Sequence, residues 1–260
     1  MKLHFLPALL LASVLLTSGC ASLLSRPDGR SDPEALLLER VARHNHQLET
    51  FKGLGDLSLA TAATGSAAFR LAWTCSVPDR LRFELLAFSG IPFLSLATDG
   101  DRVYWLPHAE NSTFHSFRQK HLNLEKLIGI PVTTDEILLL LAGRVPIRPH
   151  DTVELVNGEE GRRELRLKDG WRGEVQRICF PAGNALSPDE IIMFTDFGRQ
   201  VSYRIVLEEI QPVNGFDIPH KISFTADTGD TASLKIRRYW TNVAVDDAIF
   251  VLTDKTAAEK

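Results

Sequence analysis

The side chains able to do covalent, acid-base or metal chemistry are sparse in this sequence and do not stand at catalytic spacings. There are 3 cysteines and 8 histidines among 260 residues. His44 and His46 stand two apart, a spacing that points them to different faces of a helix, so a shared metal ion is not predicted. The sequence lacks the motifs of serine hydrolases, zinc proteases, phosphate-binding loops and dinucleotide-binding folds. We therefore expect no enzymatic activity, no metal and no cofactor.

Cys20 has a distinctive setting, at the end of an apolar N-terminal segment. Lys2 supplies a positive charge, residues 5–16 are almost all apolar, and small side chains occupy residues 17–19. This layout is typical of a secretory signal. The alternative is an uncleaved membrane anchor, but an apolar core of about a dozen residues is shorter than a membrane-spanning helix needs. We predict a signal peptide at residues 1–19.

Small residues followed by cysteine resemble the lipobox of bacterial lipoproteins, in which the cysteine becomes the first residue and carries lipid. The resemblance implies lipid attachment at Cys20, with residues 20–31 forming the lipidated cysteine and a tether. Several acyl chains anchor a protein persistently in a membrane, whereas a single chain gives only marginal membrane binding. Ala21 after the cysteine, in place of aspartate, implies by the same resemblance an outer-membrane location facing the periplasm.

The other two cysteines, Cys75 and Cys179, lie in segments with strand-like patterns. Two interpretations remain open. In an oxidising compartment they form a disulfide, or they are two buried thiols that pack as small apolar side chains. No neighbouring residue suggests a base that would activate either thiol, so neither is predicted to be a nucleophile.

The elements that carry these residues are one helix followed by many strands. Residues 31–34 (Ser-Asp-Pro-Glu) have capping-box spacing with proline in the first turn, which predicts a helix start. From Phe51 onward the apolar period changes to two, and turn signals recur at short intervals. About ten to twelve short antiparallel strands joined by hairpins follow from this pattern. An open sheet of that size must curl.

A helical insertion at residues 123–143 interrupts the strands. Asn123 is placed to cap a short helix, and residues 133–136 (Thr-Thr-Asp-Glu) form a second capping box. Residues 137–142 are apolar nearly all round, so this helix must be covered on most of its surface. We predict that it lies across the mouth of the curled sheet. The fold class is therefore mainly β (α+β), a curled antiparallel sheet forming an incomplete β-barrel lidded by helices.

One loop between strands is unusually apolar. Residues 88–93 contain Ser-Gly and Ile-Pro pairs, which interrupt a paired strand. Because loops lie on the surface, Phe88, Ile91 and Phe93 would form an exposed patch suited to a membrane or a lipid-bearing partner. The alternative is that the loop folds back and these side chains fill the core.

The overall charge excludes one class of partner. The chain has 29 Lys plus Arg against 33 Asp plus Glu, a formal net charge of −4. Binding to a nucleic-acid backbone favours a clustered basic surface and an excess of positive charge. Nucleic acid is therefore not an expected partner.

In their order along the chain, these segments resemble the LolA/LolB family of lipoprotein carriers, most closely its membrane-anchored LolB-type members and their lipoprotein relatives. The resemblance covers most of residues 35–252. It is carried by residues 51–53, 78–83, the loop around Gly90, 99–104, the insertion 123–143, and 215–219. It implies a single half-barrel domain over residues 32–255, expected to be a monomer. The chain is longer than enterobacterial LolB around residues 145–190.

The resemblance also implies a function. An apolar cavity would accept the acyl chains of lipoproteins handed over by a periplasmic LolA-like carrier, and the loop of Phe88, Ile91 and Phe93 would aid their insertion into the outer membrane. The expected cavity-lining residues are Leu71, Trp73, Leu81, Phe83, Leu85, Leu96, Trp105, Leu138 and Leu141. The alternative for each of them is ordinary core packing, which periodicity does not distinguish from a cavity wall. The alternative is a lipoprotein of the same fold that binds another lipid or serves as an envelope assembly subunit. A third and less favoured hypothesis is a periplasmic hydrolase, which would show a cleft with a nucleophile and a base in reach.

Overall fold

The computed structural model describes residues 32–62, 65–110, 112–183, 187–195 and 200–253. The predicted signal peptide, the lipidation of Cys20 and the tether lie outside the described residues, as do the last two residues of the predicted domain. All helices and strands named below belong to the unit Pro33–Lys260.

Strands dominate this unit. The α-helices in the described residues are α1 (Pro33–Arg43), α2 (Glu125–Ile128) and α3 (Thr134–Leu141), and single 3-10 turns occur at Glu159–Gly161 and Asp247–Phe250. The strands are β1 (Thr50–Thr61), β2 (Gly65–Ser76), β3 (Arg80–Leu86), β4 (Pro92–Thr98), β5 (Arg102–Pro107), β6 (His115–Arg118), β7 (Thr152–Asn157), β8 (Arg163–Asp169), β9 (Gly173–Phe180), β10 (Glu190–Phe194), β11 (Val201–Val213), β12 (Phe216–Ala226) and β13 (Thr231–Thr241).

All thirteen strands form one antiparallel sheet in the order β6-β5-β4-β3-β2-β1-β13-β12-β11-β10-β9-β8-β7. Consecutive strands pair with each other except β6 and β7, and β1 also pairs with β13, which joins the meander β1–β6 to the meander β7–β13. Strands β6 and β7 lie at the two edges, so the sheet is open. This confirms the predicted mainly β fold with an incomplete barrel. The strand number exceeds the expected ten to twelve, and the long segment around residues 145–190 contains β7, β8 and β9.

One hydrophobic core serves the whole sheet. Leu81 on β3 and Leu96 on β4 belong to the same buried cluster as Leu165 on β8 and Ile178 on β9. These pairs come from opposite halves of the strand order. A single shared core therefore requires the sheet to curl around its apolar face.

The helices begin where the capping signals predict. Helix α1 starts at Pro33 and buries Leu37 and Val41. Asn123 Oδ1 accepts a hydrogen bond from the backbone N–H of Glu125 at 2.8 Å, at the start of α2. This contact satisfies an N–H group that has no partner inside the first turn of α2, whereas Ser31, the predicted cap of α1, lies outside the described residues.

Cys75 and Cys179 are both free and buried, which corrects the disulfide alternative. They lie on β2 and β9, and five strands separate these two in the sheet. Burial raises the pKa of the Cys75 thiol well above its usual value. Burial, with the nearby carboxylates of Glu190 and Glu164, raises the pKa of Cys179 to about 12. Both thiols stay protonated at neutral pH and pack as small apolar groups.

Candidate functional site

Helix α3 forms a lid over the concave apolar face of the sheet. The backbone N–H of Thr133 donates to Glu136 Oε2 at 3.0 Å, which confirms the predicted capping box. Leu138, Leu140 and Leu141 are fully or almost fully buried. The helix is thus covered on most of its surface, as its all-round apolar sequence predicts.

Two tyrosines of the sheet fasten the lid. Tyr203 on β11 donates its hydroxyl hydrogen to Glu136 Oε2 at 2.7 Å, and Tyr239 on β13 donates to the backbone carbonyl of Leu141 at 2.9 Å. Burial, together with the charge of Glu136, raises the pKa of Tyr203, and burial raises that of Tyr239. Both hydroxyls therefore remain donors across the physiological range and hold the two ends of α3.

The chain leaving the lid is tied to the connection between α1 and β1. Asn45 Nδ2 donates to the backbone carbonyls of Ala142 and Asp217 at 3.0 and 2.9 Å. Arg144 donates to the backbone carbonyl of Asn45 at 2.8 Å. Gly143 has φ +67° and lies against the Asp217 carbonyl, so a side chain there would be both strained and obstructed. The lid is closed in this structure.

The predicted cavity-lining residues come together, but they do not line an open cavity. Eight of them are buried members of the core, and Trp105 is half-buried against it. The interior is therefore filled in this structure, because the lid leucines and the inner-face side chains pack against one another. The buried eight are Leu71, Trp73, Leu81, Phe83, Leu85, Leu96, Leu138 and Leu141.

A small apolar pocket lies elsewhere, near the end of α1. Its volume is ≈ 20 Å³, and Val41, Val145 and Leu207 contribute to its walls. That is room for about one water molecule, whereas small-molecule sites typically enclose about 300–1,000 Å³. None of the predicted lining residues borders it. A larger ligand would therefore fit this interior only after a rearrangement.

Trp73 is the most unusual side chain of this interior. It is almost fully buried on β2, and its indole ring occupies the space that Gly53 on β1 leaves free. The indole Nε1–H has no hydrogen-bond partner among the described residues. A buried donor without an acceptor costs free energy unless an acceptor is supplied. The concave face thus contains, in Trp73, a polar group without a hydrogen-bond partner among the described residues.

The loop between β3 and β4 projects its apolar side chains into solvent. Phe88, Ile91 and Phe93 are 57%, 66% and 51% exposed. The backbone closes the loop with bonds from Ala87 N–H to the Ile91 carbonyl and from Gly90 N–H to the Ala87 carbonyl, at 2.9 and 2.8 Å. Gly90 has φ +87°, which suits glycine. The predicted surface position is confirmed, and the alternative of a loop folded into the core is wrong.

This loop adjoins the edge of the concave face. The ring centroid of Phe93 lies 4.8 Å from that of Phe69 on β2. Phe69 is half-buried against the core and pairs across the strands with Leu57, which is also half-buried. We call Leu57, Phe69, Phe88, Ile91 and Phe93 the apolar rim. Sequence reasoning missed Leu57, because the glycines at inner-face positions of β1 weaken its alternating pattern.

Neither a metal-holding cluster nor a membrane-spanning helix occurs in the part of the chain that the structure describes. There, no group of three or more His, Cys, Asp or Glu side chains is placed to hold a metal ion. No helix in the same residues combines the length and the apolarity needed to cross a membrane.

Comparison with known proteins gives similarity of structure only. No protein-family model matches the sequence, and no functionally curated protein matches it either. A LolA superfamily protein from Nitrosomonas europaea has a TM-score of 0.58 and 13% identity, covering 84% of this chain and 96% of its own.

Two further solved structures are similar over nearly their whole length. A putative outer membrane lipoprotein-sorting protein domain from Vibrio parahaemolyticus has a TM-score of 0.55 and 11% identity, covering 87% of this chain and 98% of its own. A DUF1329 family protein from Desulfovibrio piger has a TM-score of 0.56 and 8% identity, covering 87% of this chain and 99% of its own. The open antiparallel sheet of this chain is therefore the fold of the LolA superfamily protein and of the lipoprotein-sorting domain.

Proposed function

We propose that the chain is a lipoprotein anchored in the outer membrane through Cys20 and facing the periplasm, which binds acyl chains of other lipoproteins beneath α3 and aids their insertion into that membrane. The observation that carries the proposal is the apolar rim, where an exposed apolar loop adjoins the edge of a concave apolar face under a helical lid. The shared fold and the LolB-type order of sequence segments support it.

The exposed loop favours contact with lipid. Fully burying a large apolar side chain is worth about 1.5–3 kcal/mol. Phe88 and Ile91 are each more than half exposed, so moving them from water into hydrocarbon stabilises a membrane-bound state by several kcal/mol. A loop closed by its own backbone bonds presents them with little ordering cost.

The closed interior is the unloaded state in this proposal. Entry of an acyl chain displaces the lid and breaks the two tyrosine bonds that hold α3. Burying a chain of 14 to 16 carbons at about 0.8 kcal/mol per methylene contributes roughly 11–13 kcal/mol relative to water. A buried hydrogen bond contributes about 1 kcal/mol net. Acyl burial therefore outweighs the loss of these two hydrogen bonds, and cargo leaves for the membrane because hydrocarbon there offers the same burial.

Trp73 suggests how an acyl chain is positioned. Its unpartnered N–H lies among apolar side chains, and the acyl chains of lipoproteins are joined through ester and amide carbonyls. A carbonyl oxygen that reaches Trp73 accepts this hydrogen bond and removes the cost of the orphan donor.

A second candidate function rests on the packed interior. A chain that never opens would be an envelope assembly subunit of the same fold, and the burial of the eight predicted lining residues favours it. The presence or absence of bound acyl cargo separates the two functions.

Native mass spectrometry of the full chain mixed with a triacylated lipopeptide tests the proposal. We expect a 1:1 complex that disappears when lipid vesicles are added, because hydrocarbon competes for the acyl chains. A non-acylated peptide of the same sequence is the control and should not bind. Detection of the free protein alone at lipopeptide concentrations well above the micromolar range would favour the assembly subunit.

A further inference from the structure

The convex outer face of the sheet carries a cluster of positive charge that the proposed function does not use. Strands β1, β2 and β13 lie side by side. Their charged residues comprise five cations and one carboxylate, whereas the whole chain has a net charge of −4. These residues are Lys52, Asp56, Arg70, Lys235, Arg237 and Arg238, and none is buried.

A groove of ≈ 420 Å³ lies among the arginines of this face. Its walls include Arg70 from β2 and Arg237 and Arg238 from β13, and its floor includes Leu54 and Gly55 of β1. Gly55 lies against the Lys235 carbonyl, so a side chain there would collide with the neighbouring strand. Three guanidinium groups therefore surround a closely packed strip of backbone.

A register shift explains why two consecutive arginines share this face. Leu54 pairs with Arg238 but Gly55 pairs with Ile236, so Arg237 is an extra residue in β13. In a regular strand, adjacent side chains point to opposite faces. The bulge removes that alternation, and Arg237 and Arg238 are both exposed while Ile236 stays in the core.

The guanidinium groups are only partly neutralised. Arg237 is paired with Asp56, with Nε donating to Oδ2 at 2.7 Å and an NH2 contact of 2.6 Å. Arg70 and Arg238 have no hydrogen-bond or ion-pair partner among the described residues. Planar guanidinium groups bind phosphate oxygens through paired N–H donors, so the unpaired arginines suit a phosphate anion.

The surroundings of the groove favour a phosphate that belongs to a lipid. Trp240 is exposed on β13, two residues beyond Arg238 of the groove. It pairs across the strands with Lys52 of β1, whose Nζ lies 5.5 Å from the centre of the indole ring. Tryptophan beside basic residues is typical of surfaces at the level of lipid headgroups. A site for a small soluble phosphate ester does not require an exposed indole beside it.

We propose that the groove between Arg70, Arg237 and Arg238 binds the phosphate group of a membrane lipid headgroup. Asp56 holds Arg237 in place, while Arg70 and Arg238 contact the phosphate oxygens. This site is independent of acyl binding beneath α3, because it lies on the opposite face of the sheet.

Calorimetric titration of the full chain in a non-ionic detergent tests the site with three probes, each added as a defined compound. Phosphatidic acid in mixed micelles carries both phosphate and tails, diacylglycerol carries the same tails alone, and inorganic phosphate carries no tails. We expect binding of phosphatidic acid, weaker binding of inorganic phosphate, and no comparable binding of diacylglycerol. The Arg70→Gln/Arg238→Gln variant should bind phosphatidic acid about tenfold or more weakly, with a smaller dependence on salt.

A matched control removes the same charge elsewhere. Arg40 and Lys126 are exposed, have no ion-pair partner among the described residues, and lie on helices. The Arg40→Gln/Lys126→Gln variant should bind phosphatidic acid within about twofold of the unmodified chain. Equal weakening in both variants, or equal binding of diacylglycerol and phosphatidic acid, would overturn the proposal. Acyl binding beneath α3 is measured separately with the lipopeptide, so failure of one site is distinguishable from failure of the other.

Discussion

Replacing Phe88 and Ile91 together by serine is expected to slow delivery of acylated cargo to vesicles by at least about tenfold, while the fold and cargo binding are kept. Both side chains are more than half exposed, so the folded state loses little by their removal. The membrane-bound state loses several kcal/mol of apolar burial. Phe93 is left unchanged because its ring packs on Phe69. The measurement is transfer of a fluorescent triacylated lipopeptide from the preloaded full chain to vesicles.

A matched control separates the loop from general surface hydrophobicity. Val206 and Ile210 on β11 are exposed large apolar side chains far from the loop in the strand order. The Val206→Ser/Ile210→Ser variant should deliver cargo at the unmodified rate. Equal delivery by the loop variant and this control would show that the loop has no part in insertion.

Leu138→Ala is expected to lower the free energy of unfolding by about 2–5 kcal/mol and, at the same time, to strengthen lipopeptide binding severalfold. Leu138 is fully buried in the lid, so truncation loses apolar burial and leaves a cavity. In the unmodified chain an arriving acyl chain must displace this side chain, whereas in the variant the space is already vacant. Urea unfolding gives the first quantity, and lipopeptide titration gives the second.

Leu165→Ala provides the comparison. Leu165 is equally buried, but it lies on β8 in the body of the sheet. We expect a similar loss of stability and no gain in lipopeptide affinity. If both variants changed affinity alike, the effect would come from general loosening, and the lid would not be the entry route.

The local elements were predictable because their signals are short-range. The capping box at residues 133–136 and the cap at Asn123 require only neighbours along the chain, and both occur in the structure. The alternation of apolar and polar residues in β2 and β3 likewise identified which side chains face the inside of the sheet. The loop at Gly90 was identifiable because glycine and proline interrupt an apolar strand.

Packing across the sheet was not predictable, because it depends on partners distant in the sequence. Periodicity assigns Leu81 and Leu138 to an inner face, but it does not give the distance between facing side chains, so an open cavity and a filled core look alike. The contact of Phe93 with Phe69 and the bulge that turns Arg237 outward depend on strand pairing. The pairing of β1 with β13 joins the two ends of the folded chain, and no local pattern encodes it.

The most direct test of acyl binding beneath the lid uses Trp73 as a reporter. The chain has 4 tryptophans, so replacing Trp105, Trp171 and Trp240 by phenylalanine leaves Trp73 as the sole indole. A lipopeptide with brominated acyl chains is then titrated into the full chain, and Trp73 fluorescence is recorded. We expect strong quenching that saturates with binding, since bromine quenches only at close contact and Trp73 is almost fully buried beside Tyr239, whose hydroxyl bonds to the end of α3. Bound lipopeptide without quenching of Trp73 would contradict the claim that acyl chains enter this interior.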